Sequence, residues 1–294
     1  MAAAPTDRRV ICMVALGTLL AAAASRAKPL EIKPCKRVLL QVEDPQVRSE
    51  AEDIGRLVCR KAQRLAKLFG LPPGQLVLVR IAADVRSFHR QTGKSYHTLA
   101  VYRARGFADM ILTQPVDLLQ PLKRFAAVLT HELVHMMIHR SAGACPRWLD
   151  EGLAQWYEGR WPRGRDPNAG APRSAEAIEA MERRWHQAAV PVVQRRADYR
   201  ASLAAVALLV ERVGEQALLA GLRGLRRERK PLELDIEGRS LAMWLFRDRP
   251  PVSERPGPRR RAVRPAAGRG DRGLSEMPLE QMLERAREKR AGQR

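Results

Sequence analysis

Apolar and polar positions between residues 37 and 113 follow the pattern of a small sheet with helices packed against it. The apolar run 37–42 predicts a strand, and residues 48–69 place apolar side chains three to four positions apart, as in an amphipathic helix. The further elements predicted in this half are a strand at 75–82, a short helix at 84–91 and strands at 98–103 and 107–113. This order predicts a small mixed β-sheet with helices against it.

From Leu118 onward the pattern becomes helical. Residues 122–139 contain neither proline nor glycine, and Pro146 is well placed for the first turn of another helix that ends near Gly159. Further helices are predicted at 174–187, 198–213 and 216–227, after a loop at 160–173 that is rich in proline, glycine and arginine. The sequence therefore predicts an α+β fold whose second half is mainly helical.

The two ends of the chain differ from its centre. Residues 1–27 have a basic start, an apolar stretch and small residues at Ser25 and Ala27, which is typical of a cleaved signal peptide. Residues 247–294 are dominated by proline, glycine and arginine and predict a disordered basic tail with a terminal helix at 278–290. The predicted folded domain is therefore 28–246.

The signal peptide predicts an exported protein, periplasmic or extracellular in a bacterium. The alternative is an uncleaved membrane anchor, which the apolar stretch disfavours because it is shorter than the roughly 20 residues that span a bilayer. Three cysteines remain after cleavage, at positions 35, 59 and 145. A Cys35–Cys59 bridge would suit an oxidising compartment and would leave Cys145 free, although the sequence does not establish the geometry.

The charge of the chain is strongly positive. Its formal net charge is +21, and 53 basic residues include only nine lysines. An anionic envelope surface that binds the basic tail is one explanation, and a compositional bias toward arginine is the other. The basic residues are spread along the whole chain without a recognised nucleic-acid module, so no specific nucleic-acid partner is expected.

The stretch HELVH, residues 131–135, carries the candidate chemistry. On a helix His131 and His135 lie one turn apart on the same face, so both imidazoles can bind one ion. Glu132, beside them, would accept a proton from a zinc-bound water. The alternative is a helix with two unliganded histidines, which the apolar residues around the motif disfavour because burying unpaired polar groups is costly.

A catalytic zinc usually has three protein ligands, and two histidines leave it one short. The next predicted helix offers Asp150 and Glu151, followed by Gly152, which would let this helix approach the HELVH helix closely. HELVH followed by PRWLDEGLA resembles the glutamate-zincins, and most of all the peptidase-MA-like family of exported bacterial proteins, whose pattern is HExxH and then WLxEGxA. The resemblance implies a zincin-like fold and makes Glu151, rather than Asp150, the third zinc ligand.

The resemblance extends more loosely to both sides of these motifs. Residues 111–113 are similar to the family's edge strand, which pairs with an extended peptide substrate. The segment that begins at Asp198 is similar to the family's tyrosine-bearing helix, which implies that Tyr199 donates a hydrogen bond to the oxyanion of the reaction. The alternative for Tyr199 is an ordinary half-buried tyrosine.

Three nearby residues depart from the family pattern or lack a role in it. Gln155 stands where some glutamate-zincins carry an acid that orients a zinc histidine, which predicts lowered activity. His139 is rotated about 80° away from the two ligand histidines, so it is expected to pack or to support the site. Glu158 is expected to face solvent.

Two functions follow from the motifs. The first is an exported zinc metallopeptidase, an endopeptidase in which Glu132 activates a water for attack on a peptide or protein substrate. The second is a protein of the same fold that binds zinc without useful turnover and acts through protein or envelope binding. The presence of Glu132 together with all three ligand residues favours the enzyme.

Overall fold

A computed structural model describes residues 29–72, 76–94, 98–105, 108–119, 122–143, 145–187, 189–224, 235–236 and 239–246. The predicted signal peptide at 1–27 and the basic tail at 247–294, with its helix at 278–290, lie outside these described residues. So does the end of the helix predicted at 216–227, beyond residue 224.

The first half of the described chain contains the predicted strands and helices in the predicted order, preceded by one further strand. The elements are β1 (Leu30–Cys35), β2 (Val38–Val42), α1 (Ala51–Leu68), β3 (Leu76–Ile81), α2 (Val85–Thr92), β4 (Ala100–Arg105) and β5 (Ala108–Thr113). The sequence did not predict β1 because Pro34 and its polar neighbours interrupt the apolar pattern. Pro34 is tolerated because β1 is an edge strand whose register with β2 shifts between Ile32 and Cys35.

The five strands form one mixed sheet in the order β1-β2-β3-β5-β4. Strands β2, β3 and β5 are parallel, whereas β1 and β4 pair antiparallel with their neighbours. Residues 111–113 were predicted to form an edge strand, and this is wrong because Ile111 in β5 pairs with both Val79 and Tyr102. Strand β4 is last in this order and pairs only with β5 among the described strands, so it is the edge of the sheet on this side.

The second half is mainly helical. Its elements are α3 (Leu122–Ala142), α4 (Arg147–Glu158), α5 (Ala175–Trp185), α6 (Val192–Val213), α7 (Glu215–Gly224), the antiparallel pair β6 (Asp235–Ile236) and β7 (Arg239–Ser240), and α8 (Leu241–Phe246). Helix α6 begins directly after Pro191, well before the predicted start at Asp198. The apolar pattern did not indicate this first part because Val192 and Val193 are exposed.

Helix α3 lies at the centre of the molecule. It contacts α1, β4 and α4, and Phe125, Leu129, Leu133 and Met136 are completely buried. A helix that is apolar around most of its circumference is stable only when other elements surround it. One continuous apolar cluster therefore runs from the sheet through α3 to α6 and α7.

Helix α4 packs closely against α6. A Cβ atom added at Gly152 would lie 2.5 Å from the Ser202 carbonyl oxygen and 2.6 Å from a methyl carbon of Val206. Gly152 was predicted to allow the approach of α4 to α3, and this is wrong because the close neighbours belong to α6. The Gln155 side chain strengthens the same contact, since its amide nitrogen donates to the Tyr199 carbonyl oxygen at 3.0 Å.

A disulfide bond joins Cys35 at the end of β1 to Cys59 in α1. This is the pairing that the sequence offered, and it holds α1 against the outer strand of the sheet. Cys145 is the free cysteine of the described residues. Among the helices of the described chain, none combines the length and apolar character needed to cross a membrane.

Candidate metal centre

Helix α3 presents two imidazoles side by side. The ring centroids of His131 and His135 are 4.7 Å apart, because a spacing of four residues places them one turn apart on one helix face. Their side chains are only 16% and 10% exposed. The face that carries them looks toward the first turns of α4.

Glu151 on α4 completes a group of three. Its Oε2 atom lies 3.5 Å from His131 Nε2 and 3.9 Å from His135 Nε2. One ligand atom from each of the three residues lies within 4.8 Å of the others, so the group could hold a metal ion. Both imidazoles therefore direct the same type of nitrogen at the same carboxylate oxygen.

The two oxygens of Glu151 differ in their surroundings. Oε1 is 2.6 Å from a guanidinium nitrogen of Arg147, whereas Oε2 is buried and has no hydrogen-bond partner among the described residues. A buried carboxylate oxygen without a partner is costly. The donor set fits a metal ion, because a cation between Oε2 and the two imidazole nitrogens would supply the missing interaction.

The charge state of Glu151 also suits a ligand. Burial by itself would raise its pKa, but the neighbouring His131, His135 and Arg147 outweigh burial and lower the pKa to about 2. Glu151 is therefore ionised at neutral pH, which is the form that binds metal.

Each histidine is oriented by a carboxylate on its other ring nitrogen. His135 Nδ1 lies 2.7 Å from Asp150 Oδ1, and His131 Nδ1 lies 3.0 Å from Glu158 Oε2. Such bonds fix the ring and leave Nε2 free to bind a metal, and they raise the basicity of the imidazole. Glu158 was predicted to face solvent, and this is wrong because its side chain is only 7% exposed.

Gln155 has a different role from the one that its position suggested. Its amide nitrogen donates to the main-chain oxygens of Glu151 and Tyr199, and it does not orient an imidazole. The acid that holds His131 is Glu158, one turn farther along α4. The expectation that Gln155 weakens the site therefore loses its physical basis.

Glu132 lies beside the three ligands and contacts the edge of the sheet. It is 8% exposed, and its Oε2 accepts a hydrogen bond of 2.7 Å from the Tyr102 main-chain N–H of β4. The Tyr102 hydroxyl in turn donates to Asp109, which is paired with Arg140 of α3. These contacts fix the distance between the edge strand and the HELVH helix.

A cavity of about 540 Å³ opens onto this group. Its lining includes the three candidate ligands and Glu132, together with β4 residues and Tyr199. The ring of Tyr199 packs edge-on against Trp185, with 4.7 Å between ring centroids. Burial, followed by the nearby charge of Glu151, raises the pKa of Tyr199, so its hydroxyl keeps the proton that it could donate.

Two further residues of the cavity wall are not part of the group. His139 is exposed and its ring lies near that of Tyr102, with 6.1 Å between centroids, and its role in supporting the site stays a prediction. Burial, followed by the charges of Asp150 and Glu182, raises the pKa of the Cys145 thiol well above its usual value. The thiol is therefore protonated at neutral pH and is a poor metal ligand and a poor nucleophile.

The sequence did not indicate the roles of Asp150, Glu158, Arg147 and Tyr102. Glu158 follows Glu151 by seven residues, which is close to two full helical turns, so its position on the same face of α4 could have been calculated. The contact with Tyr102 depends on the fold of the sheet and had no local signal.

No known family model matches this sequence, and no curated protein matches it.

Proposed function

We propose that this protein is a zinc-dependent metallopeptidase with a zincin-like fold, related to the glutamate-zincins of the peptidase-MA-like type. The observation that carries the proposal is the position of Glu151 Oε2, a buried oxygen without a hydrogen bond that faces the Nε2 atoms of both His131 and His135. Two imidazoles and one carboxylate are a donor set of catalytic zinc sites in which a further position stays open.

The residues around this group have the chemistry that hydrolysis of a peptide bond requires. Zinc, when bound, supplies Lewis acidity that lowers the pKa of a coordinated water and polarises a carbonyl group. Glu132 accepts the proton of the attacking water and passes it to the leaving amine. Tyr199 lines the same cavity and donates a hydrogen bond to the oxygen that becomes negative.

Substrate binding is assigned to β4. This strand is the edge of the sheet and lines the cavity, so an extended peptide could pair with its outward main-chain groups. Because Glu132 accepts from the Tyr102 N–H, the base is held close to where the peptide would lie. A peptide or protein substrate is therefore preferred over a small molecule.

We also propose that the protein is exported. The Cys35–Cys59 bond supports this, because structural disulfides persist mainly in oxidising compartments. Fractionation of cells that express the full chain tests it, with the expectation that the protein lacks residues 1–27 and lies outside the cytoplasm. Full-length protein in the cytoplasm with reduced cysteines would contradict export.

The function is tested with protein that begins at Lys28. Zinc per chain is measured by elemental analysis, and cleavage of an unstructured protein is followed beside the Glu132→Gln variant. We expect one zinc per chain, and we expect cleavage by the unaltered protein but not by Glu132→Gln. Zinc without cleavage would leave the second candidate, a zinc-binding module without turnover, whose specific support is that the hydrogen bond from Tyr102 already occupies one oxygen of Glu132.

The basic tail is proposed to bind anionic envelope polymer alongside either function. Deletion after Arg247 is expected to abolish binding that weakens with salt, because charge contacts of this kind are screened. Binding that survives the deletion would show that the folded domain, and not the tail, binds the polymer.

A further inference from the structure

Helix α4 carries Glu151, but it cannot cap its own first turn. The residue at its N-cap is Pro146, which makes no capping hydrogen bond through its side chain. The first N–H groups of a helix have no partner within the helix, so another group must supply one. Here the partner comes from α5, a separate helix about 35 residues farther along the chain.

That partner is the carboxylate of Glu182. Its Oε1 accepts from the main-chain N–H of Arg147 at 2.9 Å, and its Oε2 accepts from that of Trp148 at 3.2 Å. One carboxylate thus satisfies two adjacent amides at the start of α4. Its negative charge also interacts favourably with the positive end of the helix dipole.

The capped turn holds two groups that act directly on the candidate metal ligands. The Arg147 side chain bonds Glu151 Oε1 at 2.6 Å and thereby leaves Oε2 directed at the histidines. Asp150, one turn after Pro146, bonds His135 Nδ1 at 2.7 Å. A shift of this turn would therefore displace Glu151, the third candidate ligand, and change the orientation of His135 at the same time.

The last turn of α5 is itself fixed to its surroundings. The Arg184 guanidinium donates hydrogen bonds of 2.6 Å and 3.0 Å to the two oxygens of Asp198, a buried residue of α6. The Trp185 ring contacts the Tyr199 ring, and the Arg147 guanidinium lies 6.0 Å from the centroid of the Trp185 ring. Glu182 is thus held on a turn that is anchored to α6 and packed against the wall of the cavity.

We propose that Glu182 is a positioning residue of the metal centre, which acts on Glu151 and Asp150 through the first turn of α4 and does not touch the metal. The inference rests on the proposed function, since it assumes that the group of His131, His135 and Glu151 binds zinc. It assigns to the metal site a residue that lies outside both sequence motifs.

The test compares zinc affinity in Glu182→Ala with that of the unaltered protein, by competition with a chelator of known affinity. Loss of a group that orients metal ligands typically weakens binding about 10- to 100-fold, and a loss in this range is expected. Glu179→Ala is the matched control, because Glu179 lies one turn earlier on α5 and is 58% exposed. Its zinc affinity should equal that of the unaltered protein.

The melting temperature is measured with and without zinc to separate positioning from ordinary helix stability. If the cap has a purely structural role, its removal lowers both melting temperatures equally and leaves the zinc affinity unchanged. This result would overturn the proposal. The expected result is a smaller rise of the melting temperature on adding zinc to Glu182→Ala than to the control.

Glu182→Gln serves as a second variant if the alanine variant does not fold. Glutamine keeps one acceptor oxygen for an α4 amide but loses the charge, so an intermediate loss of zinc affinity is expected. If both variants fold and bind zinc within twofold of the affinity of the unaltered protein, the role of Glu182 is overturned and the proposed zinc site is not. Failure of the unaltered protein to bind zinc would overturn the proposed function and this inference with it.

Discussion

His131 Nδ1 lies 3.0 Å from Glu158 Oε2, although the two residues are 27 positions apart and on different helices. The contact joins the middle of α3 to the end of α4. It holds the imidazole ring with its Nε2 atom directed at Glu151.

We expect Glu158→Gln to weaken zinc binding by about 10-fold, because the neutral amide orients the imidazole less firmly and raises its basicity less. Competition with a chelator measures the change. Glu179→Gln provides the control, because it makes the same chemical change at a glutamate of α5 that is 58% exposed and outside the candidate site. Equal affinities for Glu158→Gln and the unaltered protein would contradict the assigned role.

Gly152→Ala is expected to destabilise the fold by about 1–3 kcal/mol, because the new methyl group meets the Ser202 carbonyl and forces α4 away from α6. Denaturant unfolding of metal-free protein measures the free energy. Alanine is the better helix former by up to about 1 kcal/mol. A variant that is more stable than the unaltered protein by about this amount would therefore mean that the two helices are not in close contact.

Removal of the disulfide by the double substitution Cys35→Ser and Cys59→Ser should lower the free energy of unfolding by about 3 kcal/mol. The bond closes a sequence separation of 24 residues between β1 and α1. Zinc affinity should not change, because neither element carries a candidate ligand. A reducing agent should destabilise the unaltered protein and leave the double variant unaffected; equal sensitivity in both would show that the bond does not form.

Alkaline pH should destabilise the fold through its tyrosines. Burial raises the pKa of Tyr102, Tyr157 and Tyr199 above the ordinary value of about 10. Above pH 10 the folded state therefore holds protons that the unfolded chain has lost, so the free energy of unfolding falls as pH rises.

Urea unfolding at pH 8 and pH 11, together with the ultraviolet absorbance of phenolate, checks this prediction. The chain has four tyrosines, so most of the phenolate signal is expected only as the protein unfolds. Complete titration near pH 10 in a protein that is still folded would contradict it.

The sequence was informative where chemistry depends on spacing along one helix. His131 and His135 are four residues apart, and the next helix had to supply a third ligand, so the structure brings together the residues that the motifs named. Glu158 lies outside both motifs, and only its helical phase, seven residues after Glu151, indicates that it lies on the same face of α4. The carboxylates of Asp150 and Glu158 become recognisable once α4 is placed across α3.

The sheet was predictable in its elements and not in its order. The apolar runs gave β2 to β5, but no local pattern states that β5 lies between β3 and β4. The prediction that residues 111–113 form the edge failed for this reason. The partner of Gly152 was likewise decided by packing, since no local pattern states which helix approaches α4 at Ser202 and Val206.

The hydrogen bond from the Tyr102 N–H to Glu132 has a consequence for self-association. An edge strand with an unpaired outward N–H can pair with the edge of another molecule, and such pairing leads to aggregation. Glu132 covers this group on β4. Replacement by alanine would remove the proposed base and uncover the strand at once, whereas glutamine keeps an oxygen to accept the bond. Loss of activity in an alanine variant could thus result from loss of the base or from aggregation. The glutamine variant removes the base without uncovering the strand, so it separates the two causes.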